Sequence, residues 1–401
     1  MSNPPKQRFG KMMFKPAIIL LCICAILVSA AVYLELHLYL RPIPQDFDKA
    51  MQQHIEAAKF PSAAVLVFKQ GQVVFSKGYG LANIAKQQKA TPDTLYQIAS
   101  VSKLVTATAV MRLYEQGHLQ LDDDINQYLP FKVRNPHFPD AAITFRMLLA
   151  HAASIGDGPA YWDSYTLGQS EDPTEPLGEF LRAYFSPNSH HYDPTQNFID
   201  AKPGTQLEYS NIGFGLLGYL VEHISGQPFE IYCRQQIFKP LNMPASQWFY
   251  RDIDKSRMAM PYGYDALRRT FTPLGYYSFS NYPDGTLKTS TTEFMRFLQV
   301  FVNDGLTPNG EQFLRPETIT EMLRPQYPQL SSVPALGWAI IGDKHMHGGS
   351  DPGVDTMVMI SKKEQWAVIM FANSGGLQAW RTQLGLSIRE DLIEYIEQYG
   401  I

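Results

Sequence analysis

Apolar residues in this chain recur with two different periods, and the changes between them mark out the elements. Phe47, Met51, Ile55 and Ala58 fall three or four apart, which predicts an amphipathic helix at the start of the folded part. Residues 63–69 and 72–79 are β-rich runs separated by Gln70-Gly71, the pattern of a tight hairpin. Helical spacing returns with Leu104, Ala107, Val110 and Leu113, and Gly117 supplies the stop signal. Residues 122–260 read as helices joined by long loops rich in Pro, Gly and Asp. Within them, 152–204 holds one helical run, 177–184, in otherwise irregular chain. Structureless stretches of that length are uncommon and are usually functional or mobile. Residues 262–282 read as an aromatic loop. Helices at 293–302 and around 316–323 then precede strands near 336–341, 354–360 and 366–372, and a final helix at about 377–398 closes the chain. Strands at both ends with helices between them predict one antiparallel sheet assembled from the two chain ends. Helices flank it, and a mostly helical second lobe packs against it, an α+β fold.

The N-terminus follows a different logic. Residues 17–34 are apolar except for Ser29, with Lys6, Arg8, Lys11 and Lys15 before them and no acidic residue until Glu35. As a helix this run spans about 27 Å at 1.5 Å per residue, enough for a bilayer core. The positive flank stays in the cytoplasm, which places the rest of the chain outside. The expected organisation is a basic cytoplasmic tail (1–16), a transmembrane signal-anchor (17–40), a linker (41–46) and a single folded domain (47–401). The expected location is the cell membrane, single-pass, with the domain on the periplasmic or extracellular side. Secretion after cleavage at Val28-Ser29-Ala30 is the alternative.

Composition narrows the function. The 401 residues carry a net charge of −4, which argues against a nucleic-acid partner because phosphate binding needs a concentrated basic surface. Of three cysteines, Cys22 and Cys24 sit in the apolar run, so Cys233 has no intrachain partner in the folded part and reads as a small buried hydrophobe.

Three short motifs carry chemistry. Ser100-Val101-Ser102-Lys103 places a hydroxyl and an amine three residues apart at a helix start, where they are neighbours. Tyr209-Ser210-Asn211 and His347-Gly348-Gly349-Ser350 follow in order. Together they resemble the penicillin-recognising serine hydrolases: class C β-lactamases, low-molecular-weight penicillin-binding proteins, and related esterases and D-peptidases. The likeness extends over about 45–395, including 131–149 with His151, 216–243 and 337–376.

The resemblance implies a β-lactamase/transpeptidase-like fold with the site between the lobes. Ser100 is then the nucleophile that forms an acyl-enzyme, and Lys103 accepts or relays its proton. Tyr209 is a second candidate base, since a neighbouring ammonium favours its ionised form. Asn211 addresses Lys103 and a substrate carbonyl. The N–H groups of Ser100 and Ser350 form the oxyanion hole, with Ser350 on an edge strand, and Gly348 and Gly349 keep the backbone clear for the ligand. No residue matches the extra deacylating glutamate of class A enzymes.

The third motif departs from the β-lactamase pattern, which has lysine and threonine where this chain has His347 and Gly348. A histidine is mostly neutral at pH 7 and gives no fixed ammonium for a substrate carboxylate. The His-x-Gly form looks like the esterase and peptidase branches. It implies ester, amide or D-amino-acyl peptide substrates and weak β-lactamase activity at most.

Other readings find less support. His345 shares a strand face with His347 if the strand extends that far. His190-His191 shows no third ligand at metal spacing, and neither His-Glu-x-x-His nor Gly-x-Ser-x-Gly occurs, so no metal or cofactor is expected. Tyr262, Tyr264, Tyr276, Tyr277 and Tyr282 are open between lining the cleft and packing. A non-hydrolytic penicillin-binding or cell-wall ligand-binding protein of the same fold is the alternative function. A structural partner in a membrane complex rests on the anchor alone. The expected partners are a small-molecule, peptide or ester substrate and the membrane, and oligomeric state is not legible.

Overall fold

The computed structural model describes residues 47–330 and 334–375. The expected signal-anchor and the expected helix at 377–398 lie outside the described residues. No described helix is long and apolar enough to cross a membrane.

A seven-stranded antiparallel sheet forms the frame. Its strands in chain order are β1 (Ser62–Lys69), β2 (Gln72–Asn83), β3 (Gln88–Lys89), β8 (Ala339–Ile341), β9 (Lys344–Asp351), β10 (Val354–Ser361) and β11 (Trp366–Ala372). The spatial order is β3-β2-β1-β11-β10-β9-β8, so the N-terminal hairpin docks on the last strand and both chain ends build one sheet. Gln70 and Gly71 both have positive φ, at 47° and 86°, which suits the tight turn between β1 and β2.

β1 and β11 lie centrally and are apolar on both faces. Ala63, Val65 and Val67, with Met357, Val368 and Met370, pack under the Phe47–Ala57 helix. Ala64, Leu66 and Phe68, with Ile369 and Phe371, face the larger core that reaches into the helical lobe. Coverage on both sides explains why these strands read as continuous apolar runs rather than alternations.

The Lys103–Glu115 helix runs through the centre of that larger core. Beyond the expected stripe, Val105, Thr106, Thr108, Ala109 and Met111 are also buried. The Asn211–Ser225 helix packs against it, capped at its start by the Ser210 hydroxyl, which accepts from Gly213 N, and ended by Gly226 at φ 69°. At Gly215 a Cβ would stand 1.7 Å from Asn281 Oδ1, so only glycine lets this helix approach the segment bearing Asp284 so closely.

Three local expectations change. Ser100 lies not in the helix but in a 3₁₀ turn, Ala99–Ser102, just ahead of it. Residues 262–282 are not wholly loop, because Tyr262–Asp265 (β5) and Thr270–Pro273 (β6) pair as a hairpin. The segment 152–204 gains a short helix, Pro159–Asp163, beside the expected one at Leu177–Phe185. Two further short strands, β4 (Tyr96–Gln97) and β7 (Lys288–Thr289), pair just before the Ser100 turn.

Candidate active site

Strand β9 and the 3₁₀ turn meet backbone to backbone. A Cβ at Gly349 would stand 2.5 Å from Thr356 Oγ1, 2.6 Å from Ile98 O and 2.9 Å from Ser100 N. No side chain fits there, which gives the glycine of the third motif its physical reason. Ala99, directly before Ser100, has φ 47°, a left-handed conformation costly for a residue with a Cβ. Beyond Met346 the outer edge of β9 has no strand partner among the described residues, because β8 pairs only with Lys344, His345 and Met346. Ser350 lies on that open stretch and is exposed.

Lys103 is completely buried, one turn from Ser100. Its Nζ lies 3.2 Å from Ser100 Oγ, 2.7 Å from Asn211 Oδ1, 3.0 Å from Asp284 O and 3.2 Å from Asp284 Oδ2. An ammonium has three hydrogens for these four oxygens. The Tyr209 and Phe214 rings lie 5.0 and 5.7 Å away. Burial pulls the Lys103 pKa down, but Tyr209 and then Asp284 outweigh it, and the net shift is upward. Lys103 therefore rests as the ammonium.

Asn211 is held from its other end. Asp157 accepts from Asn211 Nδ2 at 2.8 Å, from Asn211 N at 3.1 Å and from Ile212 N at 3.0 Å. This carboxylate occupies the helix N-terminus, where the unpaired N–H groups favour negative charge. With Nδ2 committed to Asp157, the amide can only turn its carbonyl to Lys103, and one amide hydrogen is left for a ligand. His151 Nδ1 accepts from Ser210 N at 3.1 Å, and its ring stacks on Tyr209 with centroids 4.3 Å apart. Burial, then the charge of Lys103, pushes His151 well below its ordinary pKa and keeps it neutral. Tyr209 is 47% exposed.

His347 is buried, and its Nδ1 donates to Gly348 O at 2.7 Å. Burial, then Lys103, lowers it to about 4, so at neutral pH it is an uncharged imidazole. It lines a cleft of about 730 Å³ with His151, Tyr209, Trp338, Ile340 and Met346. That wall is mainly apolar and includes no Lys or Arg.

Other candidates resolve differently. His345 is on β9, but its Nε2 lies 2.7 Å from Leu323 O, away from the cleft. Tyr262, Tyr277 and Tyr282 are packing residues: their hydroxyls meet Ile84 N, Pro352 O and Glu230 Oε2. Tyr276 stacks on Tyr250, and Tyr264 packs on Phe271. His190-His191 does have a third potential ligand, since donor atoms of Glu175, His190 and His191 lie within 4.8 Å of one another. Glu175 stands 15 positions before the pair, a distance at which spacing gives no signal. Cys233 is buried and free, as expected.

Sequence reading missed Asp157, Tyr161, Tyr165, Asp284 and Asp351. Its one pointer was the irregular stretch 152–204, which contains the first three.

Fold and site together define a two-lobed α+β protein of the kind that includes β-lactamases and penicillin-binding proteins. Residues 47–388 match the Beta-lactamase family, and the chain belongs to it. Protein flp of Staphylococcus aureus (strain N315) is 25% identical over 340 residues, covering 82% of this chain and 63% of the relative, so the chain spans less than two thirds of that relative's length. The octameric penicillin-binding protein homologue from Pyrococcus abyssi superimposes with a TM-score of 0.70 at 25% identity, over 86% of this chain and 76% of the other. The D-amino acid amidase from Ochrobactrum anthropi SV3 superimposes with a TM-score of 0.69 at 18% identity, over 88% and 99%, a likeness of fold.

Proposed function

We propose that this protein is a serine hydrolase that works through an acyl-enzyme on Ser100, cutting ester, amide or D-amino-acyl peptide bonds. The observation that supports it most is the 3.2 Å contact between Ser100 Oγ and the buried Lys103 Nζ, with Asn211 holding the amine in place. Ser100 attacks the acyl carbon, and its proton passes to the Lys103–Tyr209 pair and on to the leaving group. The developing oxyanion sits between the N–H groups of Ser100 and Ser350, and losing one such donor generally costs about 10²–10³ in turnover. Water then attacks the ester, with the same pair as base. Proton-transfer roles of this kind are worth about 10²–10⁴ each.

The neutral His347 and the apolar cleft favour substrates without an obligatory carboxylate. The apolar run at 17–34 supports a single-pass anchor that leaves the domain outside the cytoplasm. The test is a fluorescent phosphonate probe applied to intact cells. It labels the wild type, the label follows the membrane fraction, and Ser100→Ala abolishes labelling and lowers p-nitrophenyl ester hydrolysis by at least about 10³-fold. Equal hydrolysis by Ser100→Ala ends the proposal, and label released into the medium ends the anchored form of it. An acyl adduct on Ser100 that persists for hours favours the non-hydrolytic ligand-binding reading instead.

A further inference from the structure

Lys103 must lose a proton before it can take one from Ser100, and the structure contains a place for that proton to go. Asp284 Oδ2 touches Lys103 Nζ at 3.2 Å and accepts from Tyr161 OH at 3.1 Å. Tyr161 OH lies 3.2 Å from Tyr165 OH, which donates to Asp351 Oδ1 at 2.9 Å. Asp351 stands on β9, on the strand face shared by His347 and Gly349. The chain thus runs unbroken from the catalytic lysine to the strand that borders the cleft.

The proton count along it is decisive. Three oxygen–oxygen contacts are present, but with both carboxylates ionised only two hydroxyl protons are available. Each tyrosine donates to its own aspartate, and the central Tyr161–Tyr165 contact has no hydrogen. One added proton fills that gap, whichever carboxyl it enters, and a second has no contact left to occupy.

We propose that the Asp284–Tyr161–Tyr165–Asp351 chain is a single-proton store that discharges the Lys103 ammonium before acylation. The inference rests on the hydrolase reading of Ser100. Lys103 gives one proton to Asp284, and each hydroxyl in turn takes a proton on one side and releases one on the other. The net change is an amine at Lys103 and a carboxylic acid at Asp351, with no tyrosinate left behind. Asp284, Tyr161, Tyr165 and Asp351 are positioning residues, since they act on Ser100 through Lys103. When the store is already full, Lys103 stays charged and acylation stops.

Lys103 keeps its proton at rest, so the transfer runs uphill and frees the amine only transiently ahead of acylation. Burial narrows the gap by raising both acceptors. Burial lifts Asp284 to about 6 although Lys103 pulls it down. Burial, then the charge of Asp284, lifts Asp351 to about 7. The other titratable groups facing the chain are Asp157 towards Asp284, Tyr277 towards Asp351, and Tyr209, His151 and His347 towards Lys103. Of these only Asp157 carries a carboxyl group, and it is bonded to the N–H groups of the helix N-terminus.

The test compares acylation rates with a p-nitrophenyl ester across about pH 5–9 in the wild type, Tyr165→Phe and Asp351→Asn. The wild type loses activity on the acid side near neutrality. Both variants, left with Asp284 alone, lose it about one pH unit lower. Infrared spectroscopy gives a second readout that needs no turnover. Glu222, which burial also lifts to about 7, gives the same band in both proteins. The readout is therefore the wild-type minus Asp351→Asn difference, which shows a protonated-carboxyl stretch titrating near neutrality. Superimposable acid limbs, or no titrating carboxyl band in that difference, overturn the store. A titrating band in that difference, from a protein that neither hydrolyses esters nor reacts with the phosphonate, overturns the hydrolase reading and leaves the store standing.

Discussion

In the proposed hydrolase His347 bears on which substrates fit, because its charge state is set by burial rather than by the chemistry of imidazole in water. At about 4 its pKa lies far below neutrality, and Lys103 nearby adds to the penalty for protonation. The cleft wall it belongs to therefore has no fixed cation for a carboxylate. His347→Lys is expected to raise kcat/KM for a carboxylate-bearing ester about tenfold relative to its neutral analogue, the equivalent of about 1.4 kcal/mol. An unchanged ratio of the two specificity constants would remove His347 from substrate selection. At this scale the motif residues were legible because each motif is local: Ser100 and Lys103 share a turn, and His347 to Ser350 share a strand. Asp157 and Asp284 were not, since they meet Asn211 and Lys103 from 54 and 181 positions away. No spacing rule records such a contact, and an isolated aspartate in a loop looks like any solvated one.

The elements divide along the same line. The β1–β2 hairpin was legible from two β-rich runs and a glycine turn. Strand β9 was harder to see, because His347 to Asp351 contain two glycines and no apolar alternation. Its conformation comes from pairing with β10, where Gly348 faces Met357 and Gly349 faces Thr356. The 3₁₀ turn at Ala99–Ser102 was also hidden, because the backbone there is held by β9 and not by local preference. That dependence is testable. Gly349→Ala drives a methyl group into Ile98 O and Ser100 N, and the turn must move to admit it. Overpacking of this kind costs about 1–3 kcal/mol. The expected outcome is a lower thermal midpoint with kcat reduced at least about 10²-fold, as for damage to the proposed oxyanion hole. Wild-type turnover in Gly349→Ala would show that the two backbones do not need this contact.

For the molecule as a whole, sequence gave the two-ended sheet but not its order, since any of several antiparallel arrangements would bury the same apolar runs. It also gave no warning of how many charged groups the assembly buries. Lys288, on β7, is the clearest case beyond the site. It is fully buried, its Nζ donates to Trp248 O at 2.8 Å, and it lies 4.0 Å from the Tyr250 ring centroid. Burial depresses its pKa to about 7, with Asp172 opposing only in part. The folded protein then sheds this proton near pH 7, whereas the unfolded chain keeps it until about pH 10.4. Between those values unfolding takes up a proton, so stability rises with pH through that window, and the full penalty of a buried charge applies below it. A shift of this size corresponds to a penalty on the order of a few kcal/mol. Lys288→Met removes it at the cost of one hydrogen bond to a carbonyl, worth about 1 kcal/mol. Urea midpoints measured at about pH 6 and about pH 9.5 are expected to show the variant more stable at the lower pH, with the gap narrowing as the pH rises. A gap that is constant or widens would mean that Lys288 keeps its proton in the folded protein, held by the Tyr250 face and the Trp248 carbonyl.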